Sequence, residues 1–352
     1  MQINNARADV MTVNVTTHNG ANAVFCSGPK SQINMTNSVL YTSGPQGSAV
    51  GVAYGCTARL ENVVQSSGGR GAPGFSVISG TLQTSSSIVK TLKTGSPIFY
   101  VRGEDAHVTS SNSIGNADAS AVAVLDAAGS LYFQNNEFVA GAGAPAGIAL
   151  SNSHGPKPGS STVLVISHGW IMVQDPAAPA LWCGRNVVAD VSLNFTVLQQ
   201  ASGVLLALNK TLVAPGMDTF TNDMVLGPAD SGCVAGIRAV SSRLEGDVLA
   251  YEPGTQTALE LTSGSLWTGA VPSNTRTVDG WPNASVRLDD SSRWSLTADS
   301  VVQSLVCTNS TLPSIYGNGF TLYYNSSLAA NKYLGSKAIP LQNGGNAKPI
   351  PA

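Results

Sequence analysis

The chain has 352 residues, of which 43% are hydrophobic and only 11% are charged, and its formal net charge is −2. Typical soluble domains carry roughly 25% charged residues, so Ser, Thr, Asn, Gln and Gly must form most of the surface. The sequence lacks the basic clusters that bind nucleic acid and the run of about 18 apolar residues that spans a membrane. We therefore expect neither a nucleic-acid partner nor a membrane span.

A short apolar strand recurs along the chain, each time after a turn of small residues or proline. Its anchor residues follow one another at intervals of roughly 22–26 residues, with one longer step that contains the turn-rich insertion 153–159. The anchors are Val24, Val50, Phe75, Ile98, Val122, Ile148, Leu181 and Val204. A second strand type, in which apolar and polar residues alternate, leads each repeat, for example at residues 57–61 and 130–133.

This repeat predicts the fold. Two or three strands per roughly 24 residues are typical of one coil of a parallel β-helix, in which each coil buries its inward residues against its neighbours. We predict an all-β chain, with residues 1–340 in a single right-handed parallel β-helix (solenoid) of roughly 10–12 coils with end caps. The aromatic residues around Phe320 and Tyr324 place the C-terminal cap at about 305–340, and we expect 341–352 to be a flexible tail.

Cysteines and glycosylation sequons bear on the compartment. Cys26, Cys56, Cys183, Cys233 and Cys307 are too few for a disulfide framework in a chain of this length. We expect Cys26 and Cys183 to be buried as small apolar side chains, although a bridge between Cys26 and Cys56 is compatible with their spacing. Seven Asn-X-Ser/Thr sequons predict a secreted or cell-surface glycoprotein. They lie at Asn14, Asn34, Asn194, Asn209, Asn283, Asn309 and Asn325.

The C-terminal third carries a pattern of short motifs. These are Gly-Asp-Val at 246–248, Leu-x-Leu at 259–261, Ser-x-Trp-Thr-Gly at 265–269 and Ser-x-Trp-x-Leu-Thr-x-Asp-Ser at 292–300. Over residues 235–325 the chain resembles the adhesin-like, pertactin-type β-helices of autotransporter passenger domains, and secreted fungal β-helix proteins of unassigned function. The resemblance implies an extracellular role in adhesion or polysaccharide contact. We expect Trp267 and Trp294 to fill the interior of the rod.

One column of polar residues stands out in a chain so poor in charge. Counting four residues beyond successive anchors aligns Arg102, Asp126, Asn152 and Arg185, with Glu104, Asp105 and His154 close by. As a hypothesis, Arg102, Glu104, Asn152 and Arg185 bind a glycan, and Asp105, Asp126 and His154 supply acid/base catalysis. The alternative is that all of them are solvated corner residues whose ion pairs contribute little.

Three functions remain open at this stage. The resemblance favours a non-catalytic, adhesin-like or wall-associated protein that binds polysaccharide, a cell-surface glycan or a partner surface. The polar column leaves a pectin lyase-like polysaccharide lyase or glycoside hydrolase as an alternative. A structural rod that forms homo-oligomers through its ends or faces is the third. No nucleotide, metal or other cofactor motif occurs in the sequence, so we expect no cofactor and no metal.

Overall fold

The protein is a parallel β-solenoid of about 12 turns with nearly no helix, which confirms the predicted architecture. The structure is a computed structural model and describes residues 1–153, 160–208, 232–250, 254–272 and 281–351. Most coils contribute strands to three faces, and strands of successive coils pair in parallel on each face. The faces are numbered here in the order in which the chain meets them within a coil.

The first face is a ten-stranded parallel sheet. Its strands are β1 (Gln2–Asn4), β4 (Val24–Ser27), β6 (Val50–Ala53), β8 (Phe75–Ile78), β11 (Phe99–Arg102), β14 (Ala123–Asp126), β17 (Ile148–Ser151), β20 (Leu181–Cys183), β23 (Val204–Leu208) and β26 (Asp247–Leu249).

The second and third faces meet at a corner that β5 (Gln32–Thr42) and β7 (Thr57–Ser67) pass without a break. The remaining second-face strands are β2 (Arg7–Met11), β9 (Thr81–Ser85), β12 (His107–Ser111), β15 (Ser130–Gln134), β18 (Thr162–Ser167), β21 (Val188–Asn194), β24 (Val234–Val240), β27 (Gln256–Thr262), β29 (Ala284–Leu288) and β32 (Ser304–Cys307). The remaining third-face strands are β3 (Asn14–Thr17), β10 (Ile88–Thr91), β13 (Ile114–Ala117), β16 (Glu137–Ala140), β19 (Trp170–Val173), β22 (Val197–Gln200), β25 (Arg243–Glu245), β28 (Leu266–Thr268), β30 (Arg293–Ser295) and β33 (Ile315–Tyr316).

The first-face register corrects the position of three predicted anchors, Ile98, Val122 and Val204, the last by two residues. The inward column runs through Val24, Val50, Phe75, Phe99, Ala123, Ile148, Leu181 and Leu206. Ile98 and Val122 each precede the true column position by one residue. They are as fully buried as Phe99 and Ala123, so a run of apolar residues at a strand start carries no phase information.

The interior of the rod is a continuous apolar core. Phe99 packs against Phe75, Phe133 and Phe138 with ring centroids 5.0–5.6 Å apart. Towards the C-terminus, Trp267 and Trp294 are buried and stack at 4.5 Å, and each indole N–H donates to a glycine carbonyl at 2.9 Å. This confirms that the two tryptophans fill the interior and that their polar atoms are satisfied there.

The corner between the second and third faces contains one residue per coil in the left-handed conformation, with φ of 48–56° from the first coil to Ser263. Most of these residues are Asn or Ser, and Asn tolerates this conformation better than most other L-residues. Where asparagines are consecutive, their amides hydrogen-bond from coil to coil, at 2.8 Å from Asn62 to Asn37 and 2.7 Å from Asn135 to Asn112. We call this column the corner ladder. Its members are Thr12, Asn37, Asn62, Ser86, Asn112, Asn135, His168, Phe195, Ser241 and Ser263.

A second ladder of buried polar side chains lies just inside the corner. The Ser87 amide donates to the Ser113 hydroxyl at 3.2 Å, and that hydroxyl donates to the Ser111 carbonyl at 2.9 Å. The Ser113 amide in turn donates to Asn136 Oδ1 at 2.8 Å. These side chains replace the backbone partners that the bend takes away, so the corner keeps its buried amides satisfied.

Two disulfides are present, one at the Cys26–Cys56 pair that the sequence left open and one at a pair that it did not indicate. Cys26 pairs with Cys56 and Cys183 pairs with Cys233. Cys26 and Cys183 are fully buried, as predicted, but each is bonded to a residue outside a strand, a pairing that strand periodicity does not reveal. The bridges close separations of 30 and 50 residues, for which chain-entropy arguments give about 3.5–4 kcal/mol each. Two such bonds indicate an oxidising environment.

The C-terminal end is closed by a small four-stranded sheet and a 3₁₀ helix over Ala329–Leu334. The strands are β31 (Ser300–Val302), β34 (Thr321–Tyr324), β35 (Ile339–Pro340) and β36 (Asn346–Pro349). The stretch 341–352, predicted to be a flexible tail, instead contains β36, which pairs with β34 and β35. Ala347 is fully buried in this sheet, so apolar contact fixes the segment despite its glycine-rich composition.

The third face carries a stripe of exposed aliphatic side chains on four successive coils. Val39, Val64, Ile88 and Ile114 are in register and are each 41–48% exposed. Scattered apolar side chains are common on protein surfaces, whereas a regular ladder of them is unusual.

The inner ladder makes a prediction about stability. Replacing Ser113 by Ala removes the acceptor for the Ser87 amide and leaves that buried N–H without its partner. We expect Ser113→Ala to lower the free energy of unfolding by about 1–3 kcal/mol in urea denaturation. Ser66→Ala, on the outward side of the third face, serves as the control and should change it by less than about 0.5 kcal/mol. Equal effects of the two substitutions would contradict a stabilising role for the ladder.

Candidate functional site

The predicted polar column exists only in part. Arg102 and Asp126 are in register on adjacent coils, and Ser151 takes the next position. Asn152 and Arg185 lie one residue beyond that column, because Ile148 and Leu181 are in phase whereas Ile98 and Val122 are not. The structure therefore brings Arg102 and Asp126 together but does not align all four residues.

Asp126 is a buried carboxylate, and both of its oxygens accept hydrogen bonds. It is only 3% exposed and faces Arg102 with an Nε–Oδ2 distance of 3.7 Å. It accepts hydrogen bonds from the Ser153 amide at 2.7 Å, from the Ser153 hydroxyl and from the Ser151 hydroxyl at 3.3 Å. These contacts tie together the C-terminal ends of β11, β14 and β17, and they occupy the oxygens that an acid/base catalyst would need to present to a substrate.

The surroundings of Asp126 are apolar although they face outward. Tyr100, Val124, Ala149 and Trp182 form the outward column of the first face, yet all are buried and pack together. Burial, and then the nearby Asp126 carboxylate, raise the pKa of Tyr100 above its ordinary range. Its hydroxyl therefore stays protonated at physiological pH.

The other residues predicted for this site are dispersed around it. Glu104 and Asp105 are exposed in the turn before β12. Asn152 is buried and donates to the Asn186 carbonyl at 2.9 Å, while Arg185 is half-buried. His154 lies outside the described residues. The geometry thus shows a structural ion pair at Arg102 and Asp126, with exposed carboxylates beside it in sequence.

An open groove of about 480 Å³ lies elsewhere, on the outward side of the second face. It crosses four coils, from β5 to β12, and its side chains fall into two in-register columns. One column contributes Asn34, Arg59, Gln83 and Thr109, and the other contributes Thr36, Glu61, Ser85 and Ser111. Along each column the side chains repeat at the coil spacing of about 4.8 Å.

The long side chains of the groove are already held in position. Arg59 Nε donates to Gln83 Oε1 on the adjacent coil at 3.0 Å. At the N-terminal end, Asn34 Nδ2 donates to Asp9 Oδ1 at 2.5 Å, and this bond, with one from Arg7, lowers the pKa of Asp9. The groove therefore presents ordered amide, guanidinium, carboxylate and hydroxyl groups, and within it one arginine balances one glutamate.

Reasoning from the sequence missed this groove. Its signal was present in the alternating strand 57–61, where Arg59 and Glu61 occupy outward positions. The polar column of the sequence analysis lies at strand ends, whereas the groove is formed by outward positions within the second-face strands. Farther along the column that contains Arg59, the side chains of Arg238 and Arg287 both face Glu260, at 3.9 and 3.8 Å. Solvated ion pairs of this kind contribute little to stability.

The predicted sequons fall into two groups. Asn14, Asn283 and Asn309 are exposed, whereas Asn34, Asn194 and Asn325 are half-buried with their amide groups hydrogen-bonded, and Asn209 lies outside the described residues. Asn34 also lines the groove, so a glycan attached to it would occupy the space available to a ligand.

Comparisons with protein-family models, with curated proteins and with solved structures find no match for this chain. Among the described residues, no helix is long and apolar enough to cross a membrane. The fold and the geometry of the second face therefore carry the functional argument alone.

The buried ion pair predicts a stability effect without a binding effect. Asp126→Ala removes the carboxylate that faces Arg102 and that accepts from Ser153, and we expect it to cost about 2–4 kcal/mol in chemical denaturation. Asp105→Ala, at an exposed turn position, is the matched control and should change stability by less than about 0.5 kcal/mol. An Asp126→Ala protein of parental stability that no longer binds or cleaves a glycan would restore the catalytic hypothesis.

Proposed function

We propose that this protein is an extracellular, adhesin-like β-solenoid that binds a polysaccharide through the second-face groove, without catalysis. The observation that carries the proposal is the groove itself, in which hydrogen-bonding side chains repeat at the coil spacing over four coils. Sugar hydroxyls need both donors and acceptors, and these columns supply both. The disulfides and the exposed sequons agree with a secreted protein. We propose in addition that the chain belongs to the adhesin-like β-helix family.

The charge pattern favours a neutral ligand. Arg59 and Glu61 are neighbours in the groove and offset one another, and the other six column side chains are uncharged. A polyanionic chain would gain from Arg59 only what it loses at Glu61. Amide and hydroxyl groups that are pre-ordered by the sheet bind neutral hydroxyls with little loss of side-chain entropy.

Glycan binding is tested first with an array of neutral and acidic polysaccharides, followed by mass spectrometry of the products from each hit. The protein is used with its N-glycans removed, because Asn34 borders the groove. We expect binding without cleavage, and expect Arg59→Ala to weaken it about tenfold through loss of a charged hydrogen-bond donor. Arg238→Ala, in the same outward column but outside the groove, is the control and should bind like the parent.

Two outcomes would contradict the proposal. Equal binding by the Arg59→Ala and Arg238→Ala proteins would exclude the groove as the binding site. Shortened or unsaturated products would show catalysis and would direct attention to the exposed carboxylates near Asp105.

A second candidate function, self-association, is favoured by the aliphatic stripe of the third face. A second copy of the chain carries the same ladder at the same spacing, so two stripes can interlock over their whole length, as facing sheets do at about 10 Å. We expect sedimentation velocity to show a concentration-dependent dimer. Ile88→Lys should abolish it, and Leu266→Lys, at an isolated position of the same column, should not. A strictly monomeric parent protein would exclude this function.

A further inference from the structure

Three exposed aromatic side chains continue the groove along the rod. Tyr132 follows Thr109 in the first groove column and is 41% exposed. His168 and Phe195 follow on the next two coils, at the corner beside the second groove column, and both are exposed. Between groove and corner, that second column continues with the uncharged residues Gln134, Ser167 and Asn194. We call Tyr132, His168 and Phe195 the aromatic track.

Phe195 occupies a position that suits it poorly. Like His168, it belongs to the corner ladder, with φ of 50°, and every member from Asn37 to Ser263 other than these two is Asn or Ser. A bulky aromatic residue in the left-handed region is an outlier that costs free energy, and such strain collects at functional sites. The two rings stack with centroids 4.8 Å apart and planes within 11°, yet Phe195 remains 55% exposed.

The fold does not require aromatic residues there. The buried hydrogen bonds of these coils come from the next position, where the Thr196 hydroxyl donates to the Ile166 carbonyl at 2.9 Å and the Thr196 amide donates to the Ser242 hydroxyl at 3.0 Å. Beyond Phe195 the ladder continues with Ser241, so among the described residues a small side chain follows the ring on the next coil. The two stacked rings thus form an exposed platform beside the second groove column.

We propose that the aromatic track is a second subsite for the polysaccharide, which makes the ligand class a linear, neutral, extended chain of β-1,4-linked sugars. This inference rests on the proposed function of the groove. From Thr36 to Asn194 the second column advances by six coils, about 29 Å. An extended chain that gains about one ring per coil spans that distance with about six rings. The apolar face of a terminal ring then stacks on Phe195.

Chain-length dependence tests the track. Binding of xylo- and chito-oligosaccharides, from dimer to octamer, is measured by titration calorimetry on protein without N-glycans, since Asn194 adjoins the track. We expect affinity to rise with length up to about the hexamer or heptamer and then to stay level. Phe195→Asn should weaken hexamer binding roughly five- to tenfold and leave trimer binding unchanged.

The same substitution separates binding from folding. Asparagine suits the left-handed position, so Phe195→Asn should keep the parental Tm or raise it, despite the lost ring stacking. Tyr54→Asn is the matched control. Tyr54 is also exposed, at 72%, and left-handed, with φ of 53°, but it lies in the turn after β6, away from the groove. The Tyr54→Asn protein should keep or gain thermal stability in the same way, without any change in oligosaccharide binding.

The possible results distinguish a failure of the aromatic-track proposal from a failure of the groove proposal. If Phe195→Asn binds the octamer like the parent while Arg59→Ala does not, the track is excluded and the groove stands. If Phe195→Asn lowers the Tm and weakens trimer and octamer alike, its ring has a structural role and the inference is overturned. If no oligosaccharide binds and the array is also negative, the proposed function itself fails.

Discussion

The corner between the second and third faces is the constraint on which the rest of this solenoid depends. A strand can turn there only because one residue per coil adopts a left-handed conformation, as Asn62 and Asn112 do. The turn removes backbone partners from the interior, and the hydroxyl of the following residue, such as Ser113, restores them. Since the same solution repeats in successive coils, it fixes the register of both adjoining faces. A one-residue slip would turn the apolar interior outward.

Strict register arranges the outward side chains in straight columns. On a globular domain, side chains from distant elements must be brought together by loops, whereas here equivalent positions of successive coils form straight columns. The groove needs only long side chains at Arg59 and Gln83 and short ones at Ser85 and Ser111. Recognition of a linear polymer suits this arrangement, because ligand and protein are then both periodic along one axis.

The architecture could be predicted from the sequence because a repeat of turns and apolar strands has few other physical solutions. Phase was harder to predict. Ile98 and Phe99 are both buried, and hydropathy alone cannot say which one points inward, so the predicted polar column shifted by one residue at Asn152. The disulfide between Cys183 and Cys233 could not be predicted from the periodicity of the strands, because it joins a strand residue to a residue outside any strand.

Burial, rather than charge, separates the structural residues from the proposed binding surface. Asp126 is a carboxylate next to Arg102 in a chain poor in charge, yet it is buried and accepts hydrogen bonds from Ser153. Arg59 is held as firmly by Gln83 but remains at the surface. The corner ladder shows the same distinction. Phe195 adopts a backbone conformation that is unfavourable for its side chain and remains exposed, whereas the neighbouring Thr196 makes the buried hydrogen bonds. The proposed binding role of the ring is therefore compatible with the register of the corner.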